Sequence, residues 1–141
     1  MMKFNRSLIV LAVAAIGSFG APVAMAQSAG GPALAARSSD AGGVRVVVKP
    51  KSTGTGSAWE FEVTMDTHTK PLNDDLMKTS ALVDDSKRRY TPLAWQGDPP
   101  GGHHRKGILR FPAPDKQTRS FEVQIEGFGG ASKRVFQWSA N

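Results

Sequence analysis

The chain has 141 residues, and its 18 lysines and arginines outnumber its 12 aspartates and glutamates, so the formal net charge is +6. It contains no cysteine. That absence excludes disulfide bonds, a lipid anchor on cysteine, thiolate metal ligands and a cysteine nucleophile.

The first 26 residues have the order of features that a secretory signal peptide requires. Lys3 and Arg6 precede an uncharged, mostly apolar run over 8–19, and Ala24–Ala26 forms a small-x-small cleavage site. The apolar run is shorter than the roughly 20 residues that cross a bilayer as a helix. We therefore expect residues 1–26 to be removed as a signal peptide, and the mature chain to be periplasmic or secreted with no membrane span.

Residues 27–43 are small and polar without periodicity, which predicts a flexible leader before the folded part of the chain. Without residues 1–26 the chain keeps 16 basic and 12 acidic residues, a net charge of +4. This modest charge outside the cytoplasm argues against nucleic acid as a partner. The remaining residues, 44–141, are enough for one domain with a single core.

Short runs rich in β-branched and aromatic residues recur from residue 44 onward, separated by turn signals. The clearest is Trp59–Asp66, in which apolar and polar residues alternate, so that one face is buried and the other faces water. Pro92 indicates an edge or a bulge in the fourth run, and the polar connection 67–76 allows a brief helical turn. The predicted strands are Val44–Lys49, Trp59–Asp66, Ser80–Val83, Tyr90–Trp95, Lys106–Phe111, Phe121–Glu126 and Arg134–Trp138. This pattern predicts an all-β fold, an immunoglobulin-like antiparallel β-sandwich of about seven strands.

The same alternation predicts the hydrophobic core. Aromatic residues in exported proteins also suggest sugar binding, but their regular spacing in strands favours core packing. The predicted core consists of Trp59, Phe61, Val63, Leu109, Phe111, Phe121, Val123, Ile125, Phe136 and Trp138.

The block Gly97–Phe111 reads Gly-Asp-Pro-Pro-Gly-Gly-His-His-Arg-Lys-Gly-Ile-Leu-Arg-Phe. Together with Trp59–His68, Asp74–Leu76 and Arg134–Trp138, it resembles a group of small exported prokaryotic β-sandwich proteins of uncharacterised function. The resemblance covers most of residues 44–138 and is most specific in the Gly-Gly-His-His block. It implies a freestanding sandwich module and carries no known activity.

The three histidines of the chain suggest a metal site. His68, His103 and His104, with Asp66 or Asp98, would offer imidazole nitrogens suited to zinc, copper or nickel. Against this interpretation, adjacent residues on a regular strand point to opposite faces, so both neighbouring histidines reach one ion only through a bulge or a loop. The spacing matches no established metal motif, and the alternative is a structural or surface role for all three.

A catalytic role has less support in the sequence. A histidine general base needs a nucleophile and an orienting carboxylate, and no motif such as Gly-x-Ser-x-Gly brings Ser57, Ser80 and Asp66 together. We therefore expect no catalytic residues and no enzyme activity.

Two short basic runs, Lys87–Arg89 and Arg105–Lys106, suggest a patch for a phosphate, an acidic polymer or an anionic membrane surface. The alternative is that these residues are solvated and block association of a sheet edge.

The leading hypothesis is an exported, non-enzymatic binding module whose contact surface is the 96–106 loop together with His68. Its ligand would be a transition metal or a protein partner. The alternative is a structural or accessory subunit of an envelope complex that has no metal site and binds through an exposed sheet edge.

Overall fold

A computed structural model describes residues 34–139; the predicted signal peptide, 1–26, and residues 27–33 lie outside the described residues. The elements in chain order are β1 (Arg37–Ala41), β2 (Val44–Ser52), β3 (Trp59–Thr67), α1 (Leu76–Thr79), β4 (Ser80–Asp84), β5 (Arg89–Tyr90), β6 (Ala94–Gly97), β7 (His104–Phe111), β8 (Ser120–Gly127) and β9 (Ala131–Ser139). Within residues 34–139 no helix is long and apolar enough to cross a bilayer.

The strands form two antiparallel sheets. One has the order β1-β2-β3-β7-β6 and the other the order β5-β4-β8-β9. The predicted all-β, antiparallel sandwich is therefore confirmed, with nine strands in the described part of the chain where the sequence predicts about seven. Without β1 and β5, the order β2-β3-β7-β6 facing β4-β8-β9 corresponds to immunoglobulin strands A-B-E-D facing C-F-G. Membership of the immunoglobulin-like class stays a prediction.

The core lies between the sheets and follows the period of two that the sequence shows. Along β3 every odd-numbered residue from Trp59 to Thr67 is buried, and the residues between them are half-buried. All ten predicted core residues are buried. Aromatic rings fill the centre, with the centroids of Trp59 and Phe121 at 4.8 Å and those of Phe61 and Phe111 at 5.8 Å. This packing gives the loops at both ends a rigid support.

The first strand lies inside the segment whose composition predicts a flexible leader. All five residues of β1 pair with the first part of β2, from Arg37 opposite Val48 to Ala41 opposite Val44. The leader prediction is therefore wrong for these residues, and the folded domain begins before residue 44. Pairing here is decided by distant side chains, which a local reading of small polar residues does not detect.

Two buried side chains of β9 hold β1 in place. The Arg134 guanidinium donates hydrogen bonds to the carbonyl oxygens of Ser39 and Ala41, at 3.3 and 2.7 Å. The indole Nε1 of Trp138 donates to the carbonyl of Ala35 at 2.7 Å. Since β1 ends one sheet and β9 ends the other, these bonds fasten the two sheets together along one side of the sandwich.

On the same side of the sandwich, the β1–β2 turn and the β8–β9 turn contact each other. A Cβ atom placed on Gly42, in the β1–β2 turn, would lie 2.3 Å from the carbonyl oxygen of Gly129, in the β8–β9 turn. Gly42 also has a φ of +58°, a conformation that side chains disfavour. Only glycine therefore fits where the two turns meet.

The predicted fourth strand, Tyr90–Trp95, is divided between the sheets. β5 pairs with β4, whereas β6 pairs with β7 in the other sheet. The buried Pro92 lies between them, so the edge signal of this proline marks the crossing from one sheet to the other. The brief helical turn allowed near 67–76 is found slightly later, as α1, where the Asp75 carboxylate caps the helix by accepting from the Met77 amide.

Candidate functional site

The 96–106 segment singled out by the sequence contains a tightly held loop. We name residues 98–104, which follow β6 and end at the first residue of β7, the rim loop. Three backbone hydrogen bonds tie it to the connection that follows β3: Thr67 N to His103 O at 2.9 Å, Leu72 N to Gly102 O at 3.0 Å and Gly101 N to Leu72 O at 2.8 Å. The loop is therefore fixed to the end of β3, as a presentation surface requires.

The base of the rim loop is closed by Asp98. Its carboxylate accepts a hydrogen bond from the Lys106 amide at 2.9 Å, and its carbonyl accepts one from the Trp95 indole at 2.8 Å. Gly97 of β6 and Gly107 of β7 lie directly opposite each other next to Asp98. A Cβ atom on either glycine would lie 2.5–2.6 Å from the Cα atom of the other. The Trp95 ring covers both glycines and takes the space that side chains would need. The Asp98 carboxylate is thus engaged with backbone.

Arg105 lies directly beneath the rim loop and is only 2% exposed. Its Nη1 donates to the carbonyl oxygens of Leu72 and Asp74, at 3.0 and 2.8 Å. The guanidinium also contacts two rings, with its carbon 5.7 Å from the centre of Trp95 and 6.0 Å from that of Phe128. This one side chain therefore joins the β6 edge, the 72–74 connection and the β8–β9 turn.

The predicted exposed basic patch is wrong for Arg105, although Lys106 is exposed. The reason is register, because Arg105 shares the inward parity of Leu109 and Phe111 on β7. Burial lowers the pKa of Arg105 from its ordinary value. The negative charges of nearby carboxylates oppose this shift, and that of Asp75 has the largest effect. With no carboxylate hydrogen-bonded to it, the guanidinium depends on backbone carbonyl groups for most of its partners.

The three histidines are all exposed at this end of the sandwich. His104 begins β7 opposite Asp66 of β3, and its Nδ1 lies 2.5 Å from the Asp66 carboxylate. His103 joins the scaffold through its backbone carbonyl, and His68 follows β3. Across residues 34–139 no three or more histidine and acidic side chains form a group able to hold a metal ion. The structure thus does not bring His68, His103 and His104 together as the ligands of one metal ion.

A groove of ≈ 520 Å³ opens beside the histidines. Its polar lining includes Asp40, Arg45, Asp66 and His68, and its floor is the β1–β2 turn. Asp66 also contacts His104, so the groove continues towards the rim loop. The groove thus combines two carboxylates, a guanidinium and the His68 imidazole, and the His104 imidazole contacts Asp66 beside it.

The outer face of the larger sheet carries a row of acid–base pairs that the sequence analysis did not identify. They join β3 to β7: Glu60 with Arg110, Glu62 with Lys106 at 3.4 Å, and Asp66 with His104. The sequence does contain a signal for these pairs. Acidic residues alternate along the solvent-facing side of β3, and basic residues alternate along the solvent-facing side of β7. Exposed pairs of this kind contribute about 0–1 kcal/mol each, so they order the face more than they stabilise the fold.

The opposite end of the sandwich has a smaller cavity of ≈ 240 Å³. Trp59, Phe121 and Ala113 line its apolar part, and Lys116 and Thr118 are also among its lining residues. Ser57, one of the residues weighed for catalysis, precedes β3 at this end, whereas Asp66 lies near the other end of the same strand. The structure therefore does not bring these two residues together.

No protein-family model matches the chain, and neither a curated protein nor a solved structure matches it significantly. The resemblance to small exported β-sandwich proteins stays a prediction.

Proposed function

We propose that the chain is an exported, non-enzymatic binding module whose contact surface is the rim, defined as residues 98–104 together with His68. One observation carries the proposal: the rim loop is hydrogen-bonded to the 72–74 connection, which the buried Arg105 holds in place, while the imidazoles of all three histidines face solvent. Burying a guanidinium costs several kcal/mol of desolvation. A loop that only connected two strands would not need such support.

A protein partner is the ligand that the rim fits best. The groove beside His68 presents Asp40 and Asp66 together with Arg45, a mixture of charges that suits a polar segment of another chain. A transition metal is less well supported, because the three histidines form no ligand group with one another or with nearby acids. We therefore place a protein partner, outside the cytoplasm, first.

The test uses the mature chain as bait in an envelope extract of its own host. We expect a specific partner to be retained by the wild-type chain and lost with the triple variant His68→Ala, His103→Ala, His104→Ala. The matched control is Lys116→Ala with Gln117→Ala, two exposed residues at the opposite end of the sandwich, which we expect to retain the partner. Thermal unfolding of each variant excludes loss of binding through loss of fold.

Equal retention of the partner by the triple variant would refute the rim as the contact surface and favour the alternative, an accessory subunit that binds through a sheet edge. Calorimetric titration with zinc, copper and nickel distinguishes a metal ion from a protein partner as the ligand. Binding tighter than about 10 μM, equivalent to roughly 7 kcal/mol, that disappears in the triple variant would replace the protein partner with a metal ion.

A further inference from the structure

The two sheets have four edge strands, and three of them are short or covered. In β1 the carbonyl groups of Ser39 and Ala41 accept hydrogen bonds from the Arg134 side chain, and Trp138 bonds the carbonyl of Ala35 just before the strand. β5 has only two residues, and β6 has four that lie between Pro92 and Pro99. These are the devices by which natural sheets avoid pairing with other chains.

The fourth edge, β9, is neither short nor bounded by prolines, although its buried Arg134 and Trp138 side chains hold β1 of the other sheet beside it. It has nine residues and pairs on one side with β8. Within residues 34–139 no backbone hydrogen bond connects its other side to any segment. Val135, the central residue of the strand, is 50% exposed and is one of two large hydrophobic residues exposed in the described part of the chain. A long, regular edge with an apolar centre favours addition of a further strand.

We propose that two copies of this chain associate through β9, antiparallel and about a two-fold axis that passes between their Val135 residues. The two four-stranded sheets then become one continuous sheet across the dimer. This register pairs Ala131 with Ser139 of the second copy at both ends, so it uses the whole length of the strand. A two-fold interface is isologous, and it closes with two copies instead of growing into a fibre.

The outward side chains of β9 suit this register. Lys133, Val135 and Gln137 alternate with the buried Arg134, Phe136 and Trp138. The two-fold axis places Val135 against Val135 of the second copy, and Lys133 against Gln137. No two like charges are therefore directly opposite each other, whereas a shift that centred the axis on residue 133 would oppose two lysines. Apolar pairs directly opposite one another stabilise antiparallel strands.

The first experiment measures molecular mass against concentration by sedimentation equilibrium of the mature chain. We expect a monomer–dimer equilibrium that Val135→Lys weakens by at least about tenfold, since two ammonium groups would then meet at the axis. The control is Leu93→Lys, the same change at the other large exposed hydrophobic residue, which is 57% exposed and lies outside β9. The control should leave the equilibrium unchanged. A chain that stays monomeric up to about 200 μM would overturn the proposal, as would equal weakening by both variants.

The second experiment tests the register with changes at the exposed Gln137, and thermal unfolding of each variant accounts for the effect of the new charge on Glu122, which lies opposite within the same chain. Gln137→Glu places a carboxylate opposite Lys133 at two symmetric positions, and we expect it to tighten the dimer by about three- to tenfold. Gln137→Lys places like charges opposite each other and should weaken it. Tightening by both, or by neither, would refute this register. Because the chain has no cysteine, Val135→Cys with a short thiol crosslinker should give covalent dimers, whereas Leu93→Cys should not.

Discussion

Arg105→Met tests whether the rim depends on the buried guanidinium. Methionine keeps most of the contact with the Trp95 and Phe128 rings but cannot donate to the carbonyl groups of Leu72 and Asp74. Hydrogen bonds from a charged donor contribute about 1.5–3 kcal/mol each, so the two bonds contribute about 3–6 kcal/mol. Part of this offsets the cost of burying the charge, which the variant no longer has. We expect a net loss of about 2–4 kcal/mol in the free energy of unfolding.

The assay is urea unfolding followed by tryptophan fluorescence. With an m value of about 2 kcal/mol/M, in the middle of the usual range for urea, the expected loss lowers the midpoint by about 1–2 M. The control, Arg110→Met, makes the same change on the same strand at a side chain that is 40% exposed and paired with Glu60. The control should cost less than about 1 kcal/mol. Hydrogen exchange at the Gly101 amide should accelerate in Arg105→Met only.

Equal stability of Arg105→Met and the control would refute the reasoning, because the rim loop would then be held by its backbone bonds alone. A large loss of stability with unchanged exchange at Gly101 would place the effect of Arg105 in the core and not in the loop.

Three further outcomes follow from other contacts. Gly42→Ala should cost about 2 kcal/mol or more in thermal unfolding, because its Cβ would meet a carbonyl oxygen at 2.3 Å. Gly56→Ala, also at positive φ but with no atom within 4 Å, should cost about 1 kcal/mol; equal losses would contradict the close approach. Arg134→Met should free residues 37–41, seen as faster amide exchange there and nowhere else in the larger sheet; unchanged exchange would show that strand pairing alone holds them. Burial, assisted by a hydrogen bond to a carboxylate, raises the pKa of Tyr90 above 10.0, so its contribution to stability is present below pH 10.0 and is lost as the pH rises through the folded-state pKa. Tyr90→Phe should remove this alkaline dependence in urea titrations, and a dependence that persists would assign it to another group.

The fold is predictable from the sequence where burial follows a local period. Trp59–Asp66 alternates so regularly that its buried face, and with it the core, follows from residue types alone. The same period also placed Arg105 inward, but its charge favoured a surface interpretation. A guanidinium can be buried because backbone carbonyl groups from a distant connection receive it, and sequence spacing does not reveal such partners.

The first strand and the histidines show a second limit on what can be predicted from the sequence. Residues 37–41 have no apolar pattern; they pair with β2, and Arg134 and Trp138 from the far end of the chain bond the carbonyl groups of Ala41 and Ala35. On a regular strand, the side chains of the adjacent His103 and His104 would point to opposite faces of the sheet. Their actual partners, a carboxylate for His104 and a backbone amide for the His103 carbonyl, depend on which strand lies next to β7. Strand order is set by the whole sandwich.

The fastening of β1 by β9 also has a consequence for how the chain matures. Trp138 follows Ala35 by 103 residues, so a chain emerging N-terminus first can pair β1 with β2 but has no side chain to hold β1 against the second sheet until β9 is out. Contacts of such long sequence separation form late, because the intervening segment must first be brought together. A partly synthesised chain therefore keeps this side of its sandwich open, because β1 is held to the second sheet only after β9 has formed.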